Sequence, residues 1–220
     1  NVPDETREKV MAVIEEYGYE PNSFARVLAG KAKQEIALYI SDCDAVKKRW
    51  KGIESPYFMR LIAELVSQGK EYGYMISVFV VSQVTDFAKI ENMYLNREIC
   101  GGIFVGFEFQ MEAVNQLITA GFNMVVIDPG PNMIQADNVS GIYSQNLEAG
   151  YMATRYLIEQ GHKKIAHLCG DDRLSSRERV IGYKKAMTEA GLSEEILIEA
   201  GDFNSEKAGR AVQKLLKQPI

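Results

Sequence analysis

The 220-residue sequence is short of the side chains that most reaction chemistry needs: it has two histidines, three cysteines and one tryptophan. Neither His162 nor His167 has a carboxylate or a Ser/Cys partner at triad-like spacing, so no nucleophilic or acid–base centre is expected. Cys43, Cys100 and Cys169 are an odd, widely separated set without metal-ligand spacing, which suggests a reducing cytoplasm. No apolar run approaches membrane-spanning length and no signal peptide opens the chain, so no membrane association is expected. An excess of positive charge is missing too. The net charge of −5 and the pI near 5.3 argue against general adhesion to nucleic acid. Even within residues 1–33, five basic side chains (Arg7, Lys9, Arg26, Lys31 and Lys33) face six acidic ones. Gly101-Gly102-Ile103-Phe104-Val105-Gly106 follows no dinucleotide pattern, because its glycines flank a strand instead of opening a helix. No cofactor is expected. Asp171-Asp172 reads as a solvated loop, with a metal site as the alternative.

What is present is a hydrophobic content of 46%, enough for one or two packed cores, arranged in a βα rhythm. Pro3 suits the first position of a helix, with Asp4 and Glu5 at its positive end. Val10, Ile14 and Tyr17 form its apolar stripe, and Gly18 closes it. Ile36–Ile40 reads as a buried parallel strand. Residues 56–72 follow as a helix with Phe58, Leu61, Ile62, Leu65, Val66 and Tyr72 on one face. Met75–Val81 is the next strand. Phe87, Ile90, Tyr94 and Arg97 mark a helix, and Gly102–Val105 a strand. Met111, Val114, Leu117 and Ile118 form a helix closed by Gly121, and Met124–Ile127 a strand ending at Asp128-Pro129. A short crossover at about Ile134–Val139 is expected to lead into a second lobe. That lobe would hold helices at 145–160, 176–190 and 205–217 and strands at Ile165–Cys169 and Ile196–Ala200. The expected class is α/β, with parallel sheets flanked by helices.

The stretch that joins the first helix to the βα units is Tyr19-Glu20-Pro21-Asn22-Ser23-Phe24-Ala25-Arg26-Val27-Leu28-Ala29-Gly30. Pro21 ends what precedes it, Asn22 or Ser23 caps a new turn, and Gly30 stops that turn after about two windings. So short a helix is marginal alone, as expected of a hinge that folds on contact.

Thr6-Arg7-Glu8-Lys9-Val10, Gly18-Tyr19, Pro21-Asn22, Ala25-Arg26 and Leu28, continued through the βα units, resemble the LacI/GalR family of bacterial transcription regulators along nearly the whole chain. The resemblance implies a two-lobe, periplasmic-binding-protein-like fold. It assigns 1–19 to the remainder of a helix-turn-helix headpiece, 20–34 to a hinge, 35–140 to an N-terminal lobe and 141–220 to part of a C-terminal lobe. In the family two further helices precede the first one here, and a further part of the second lobe follows. On this resemblance Leu28 is the side chain that two subunits wedge into the minor groove, Ala25 and Arg26 lie along that groove, and Asn22 lies near the backbone.

In open α/β sheets ligands collect outside the carboxyl ends of the strands. The loop 41–57, Gly106-Phe107-Glu108, Asp128-Pro129 and Gly170–Arg177 occupy those positions, with polar groups and rings of the kind that sugar sites use. The resemblance sharpens this. Tyr57 and Phe58 match aromatics that cover an effector, and Asp128 matches an acid that accepts its hydrogen bonds. Ser175-Ser176-Arg177-Glu178-Arg179, followed by Gly182-Tyr183, matches the segment of the effector-binding arginine. The expected effector residues are Tyr57, Phe58, Phe107, Asp128, Ser175 and Arg177, with Arg179 structural and Arg173 the alternative for an anionic effector. Three departures weaken the match. Ser55 stands where Asn is usual. Gln145-Asn146 replaces Asp-Asn. The loop at 41–54, with Lys47-Lys48-Arg49-Trp50-Lys51, is long and reads as a solvated insertion, or alternatively as a lid whose Trp50 stacks on ligand.

The implied function is a cytoplasmic, dimeric regulator, most often a repressor, binding operator DNA and a small sugar or sugar derivative held between the lobes. Ligand would change the angle between lobes and the spacing of the hinge helices, coupling the two affinities reciprocally. The alternative is a soluble sugar-binding protein of an uptake system, which would have no use for the hinge motif. A sugar-pathway enzyme would need an acid/base pair that the sequence does not offer.

Overall fold

The structure, a computed structural model, describes residues 3–18, 33–42 and 56–217. The expected hinge residues Asn22, Ala25, Arg26 and Leu28, together with Trp50 of the long loop, lie outside the described residues.

The first helix, α1 (Asp4–Tyr17), begins where Pro3 offers its carbonyl to the N–H groups of Thr6 and Arg7. Gly18 ends it in the left-handed region at φ 58° and returns its N–H to the Ile14 and Glu15 carbonyls, a closure that favours a residue without Cβ. The elements that follow are β1 (Glu35–Ser41), α2 (Pro56–Glu71), β2 (Met75–Val81), α3 (Asp86–Leu95), β3 (Gly101–Val105), a 3-10 turn (Glu108–Gln110) running into α4 (Met111–Thr119), and β4 (Met124–Ile127). The second half adds β5 (Val139–Ile142), α5 (Asn146–Glu159), β6 (Ala166–Cys169), α6 (Leu174–Glu189), β7 (Leu197–Ala200) and α7 (Ser205–Leu215). The expected α/β class is found. One sheet has the order β2-β1-β3-β4-β5, and β6 pairs with β7 in a second. The pairs β1–β2 and β6–β7 are parallel. In the larger sheet the order reverses between β1 and β3, the kind of switch point at which doubly wound sheets receive ligands.

Contacts divide the chain into two compact units: Asn1–Phe104 with Leu117–Met124, and Val105–Gln116 with Val125–Ile220. The first unit is built on β1, whose Ala37, Leu38, Tyr39 and Ile40 are buried because helices or strands cover both faces. Tyr39 packs against Phe79 and Phe104, with centroids 5.5 and 4.9 Å away. Tyr94 stacks on Phe122 at 4.5 Å and donates its hydroxyl to the Asn123 carbonyl at 2.9 Å, so the phenol is buried but satisfied. Burial pushes the Tyr94 hydroxyl far above its ordinary pKa. The second unit has its own core of Ile165, Tyr183 and Met187, packed against Ile158, Leu192, Ile196 and Ile198.

Several expectations need correction. The buried side of α2 runs from Phe58 through Ile62 and Leu65 to Gly69, where a Cβ would stand 2.6 Å from Ile76 Cγ1. Val66 lies off that line and Tyr72 falls beyond the helix end, so both are exposed. Arg97 is not helical but left-handed, at φ 57°. The crossover expected at Ile134–Val139 ends in a strand, β5, which the alternation Val139-Ser140-Gly141-Ile142 signals too weakly to read. Helix α6 begins at Leu174, two residues before its expected start, for a reason found far away in the chain.

Candidate ligand-binding site

The chain leaves β3 through Gly106, at φ 82°, and Phe107, then makes the 3-10 turn that opens with Glu108. Asp128-Pro129-Gly130 after β4 packs on that turn, and a Cβ at Gly130 would lie 3.0 Å from the Glu108 carbonyl oxygen. The Glu108 carboxylate accepts the Leu174 N–H, with both oxygens 2.8 Å from the nitrogen. One oxygen also accepts from Arg177 Nη2 at 3.1 Å. The Glu108 side chain is 10% exposed and that of Arg177 is 54% exposed. Arg173, at the N-cap of α6, makes no side-chain cap bond. Glu108 does that work from 66 residues upstream, placing a negative charge at the positive end of the helix. This is why α6 starts at Leu174.

Asp128 stands at φ 47°, a conformation that Asp tolerates better than most residues. Its N–H donates to the Ile142 carbonyl at 2.7 Å. Its carboxylate accepts the Ser144 N–H at 2.9 Å and the Ser144 hydroxyl at 3.3 Å. The line continues as Asn146 Nδ2 donates to the Ser144 carbonyl at 3.2 Å, and Arg179 Nε donates to Asn146 Oδ1 at 2.9 Å. Asn146 is 5% exposed, so the amide of the Gln145-Asn146 pair works inside the protein, tying α5 to α6.

The expected site residues divide between the two units. Asp128, Ser175 and Arg177 belong to the second, as does Phe107, which is 1% exposed; its neighbour Phe109 is 59% exposed. Tyr57 and Phe58 belong to the first, on α2, with rings 5.0 Å apart and perpendicular; Tyr57 is exposed and Phe58 buried. Arg173 turns to Asp171, with Nε 2.8 and 3.1 Å from the two carboxylate oxygens, and lays its guanidinium 4.7 Å from the centroid of Phe203. Glu108, expected only as part of the strand-end loop Gly106-Phe107-Glu108 and not among the effector contacts, is the side chain that engages Leu174 and Arg177. Its position after β3 was visible, but its partners on α6 were not.

Chemically, the cluster offers a half-exposed guanidinium with several N–H donors and two carboxylates, Glu108 and Asp128, whose oxygens only accept while ionised. Donors and acceptors set on loops at strand ends suit a hydroxyl-rich molecule.

The model of periplasmic binding proteins and the sugar-binding domain of the LacI family matches residues 46–219. The chain is 30% identical over 223 residues to the HTH-type transcriptional repressor PurR of Haemophilus influenzae, covering 99% of the chain and 62% of that protein. It is 32% identical over 225 residues to PurR of Erwinia tasmaniensis, covering 99% and 61%. The chain thus spans about three-fifths of the length of these curated relatives. Among solved structures, the lac repressor dimer bound to operator and the anti-inducer ONPF superposes with a TM-score of 0.69 at 23% identity, over 98% of the chain and 62% of its own. The complex of the transcriptional regulator CelR with cellobiose superposes with a TM-score of 0.67 at 24% identity, over the same shares. These likenesses show a common fold.

Proposed function

The chain belongs to the family of periplasmic binding proteins and LacI-family sugar-binding domains, and we propose that it is the greater part of a ligand-responsive transcription repressor. The observation that carries this reading is the extent of the match to the repressors. The PurR alignments cover 99% of the chain, so they reach beyond the family model's 46–219 into the helix α1 and the Pro21-Asn22…Leu28 stretch. A sugar-uptake protein has no need of that part.

In this reading residues 1–19 end a DNA-binding headpiece and 20–34 are a hinge. Two subunits bind operator DNA, with Leu28 as the minor-groove wedge and Asn22, Ala25 and Arg26 beside it. Dimerisation is supported by the apolar surface left uncovered on α2 and β2, where Met59, Val66, Met75 and Val80 are all exposed. The effector is a small hydroxyl-rich molecule, a sugar or sugar derivative. Arg177 donates to it, Asp128 and Ser175 accept from it, and the roles implied for Tyr57, Phe58 and Phe107 belong to the same proposal. Effector and operator affinities are coupled through the hinge, and the protein works in the cytoplasm.

The test is a thermal-shift screen of this chain against neutral mono- and disaccharides and free purines, with Arg177→Ala in parallel. A neutral sugar should raise the melting temperature in proportion to the logarithm of its concentration, and Arg177→Ala should abolish the shift. A shift that survives in Arg177→Ala removes that residue from the site. In a full-length protein carrying the headpiece, Leu28→Ala should weaken binding to a selected operator while leaving effector affinity unchanged. Equal operator affinity would sink the hinge assignment.

A further inference from the structure

A helix N-terminus with an arginine one turn inside it is a natural receiver of anions, since its free N–H groups and the guanidinium both seek negative charge. Here that position is already filled from within the protein. Glu108 brings both carboxylate oxygens to 2.8 Å from the Leu174 nitrogen, and one of them to 3.1 Å from Arg177 Nη2. Only 10% of its side chain is exposed, so the carboxylate is built into the fold and does not sample solvent as a surface side chain would. Asp128, on the loop that packs against the Glu108 turn, adds a second acid whose hydrogen bonds come from Ser144.

We propose that Glu108 is the charge-selecting residue of the ligand site. It neutralises the α6 N-terminus and Arg177 in advance, so that the site accepts hydroxyl-bearing neutral ligands and refuses phosphorylated or carboxylated ones. This rests on the reading of Arg177 as the effector-binding arginine.

The physical argument is one of occupancy and balance. Arg177 has five N–H donors, of which the Glu108 bond uses one, leaving others for the hydroxyls of a neutral ligand. The local charge is different. The Arg177 cation is matched by the Glu108 carboxylate, 3.1 Å away. A phosphate arriving at Arg177 would have to displace a buried carboxylate that holds two bonds, or sit beside it against like-charge repulsion. A neutral diol meets neither obstacle. The selectivity therefore comes from a residue on the far side of the sequence from the arginine it restrains.

The experiment uses inorganic phosphate as the probe, with sodium chloride at matched ionic strength as the control, on this chain and on Glu108→Gln. Gln keeps the size and an acceptor for the Leu174 N–H but removes the charge. The wild-type chain should show no saturable stabilisation by phosphate. Glu108→Gln should acquire it, with phosphate affinity raised roughly ten- to hundredfold, the range expected for charge-assisted hydrogen bonds released to a new acceptor. The gain should disappear in the double variant Glu108→Gln/Arg177→Ala. Two results would overturn the proposal: wild-type protein that binds phosphate through Arg177, or a folded Glu108→Gln protein that binds none. If Glu108→Gln melts too low to assay, the wild-type chain decides alone by comparing one sugar with its 6-phosphate. Equal shifts refute charge selection, and rejection of the phosphate alone supports it. Because inorganic phosphate reports without any sugar, failure to find a sugar effector would undo the functional reading and leave this measurement standing.

Discussion

Gly150 and Gly182 face each other where α5 crosses α6, and no side chain separates the two backbones. A Cβ at Gly182 would lie 2.0 Å from the Leu147 carbonyl oxygen and 2.6 Å from the Tyr151 nitrogen. A Cβ at Gly150 would lie 2.3 Å from the Arg179 carbonyl oxygen. The obstacles are backbone atoms, which cannot rotate aside as a side chain can. The close crossing also brings Asn146 within reach of Arg179.

Gly182→Ala should therefore separate the helices instead of simply overpacking them. A loss of about 3 kcal/mol is expected, at the upper end for added core volume, which for a chain of this size lowers the melting temperature by roughly 6–12 °C. Thermal unfolding followed by circular dichroism measures it. A melting point within a degree of wild type would mean that the crossing is not as tight as described.

Tyr183 joins the strands of the smaller sheet through one atom. Its hydroxyl donates to the Ile165 carbonyl at 2.6 Å and accepts the Leu197 N–H at 2.9 Å, and the side chain is 1% exposed. Tyr183→Phe keeps the ring but strands a backbone donor and acceptor in the interior. The expected cost is about 1–3 kcal/mol, read as a lower urea midpoint at unchanged slope. An unshifted midpoint would show that water or a neighbour takes over both bonds.

His167 stacks on Tyr183 with centroids 5.3 Å apart. Burial, reinforced by the positive charge of Arg179, holds its pKa below the ordinary value of 6.5. The unfolded chain therefore takes up a proton before the folded one does. Stability should be complete above about pH 6.5 and should decline as the pH falls below it. Glu35 adds a second loss at lower pH. Burial pushes its carboxyl up, but the bonds from Lys33 and Ser77 and the charge of Lys33 outweigh this and hold it below 4.5. His167→Phe should flatten the upper part of the profile, between about pH 5 and 7, and leave the lower part unchanged. Urea midpoints across that range decide; an unchanged slope in His167→Phe would assign the acid sensitivity elsewhere.

Most of the elements were legible because their signals are local. Met75–Val81, apolar but for Ser77, and Met124–Ile127, apolar throughout, are bounded by turn residues, and both strands have those bounds in the structure. Phe87, Ile90 and Tyr94 repeat at helical spacing and are buried together. The loops after β3 and β4 could be read as site material because a strand's end can be read. Where the signal depended on what a segment packs against, the reading faltered. β5 has too few apolar residues to announce itself, and Tyr72 is apolar without being covered.

By itself the sequence determined the α/β alternation, the family resemblance and the position of Arg177 near the start of a helix. All of these rest on residues within a turn or two of one another, or on motif order along the chain. Only the tertiary structure decided that Glu108 caps α6 and engages Arg177, that Asn146 turns inward to Arg179, and that Gly150 and Gly182 let two helices touch. Each of those pairs is separated by tens of residues. Their meeting follows from how the sheet order folds the chain back on itself, which no local periodicity encodes.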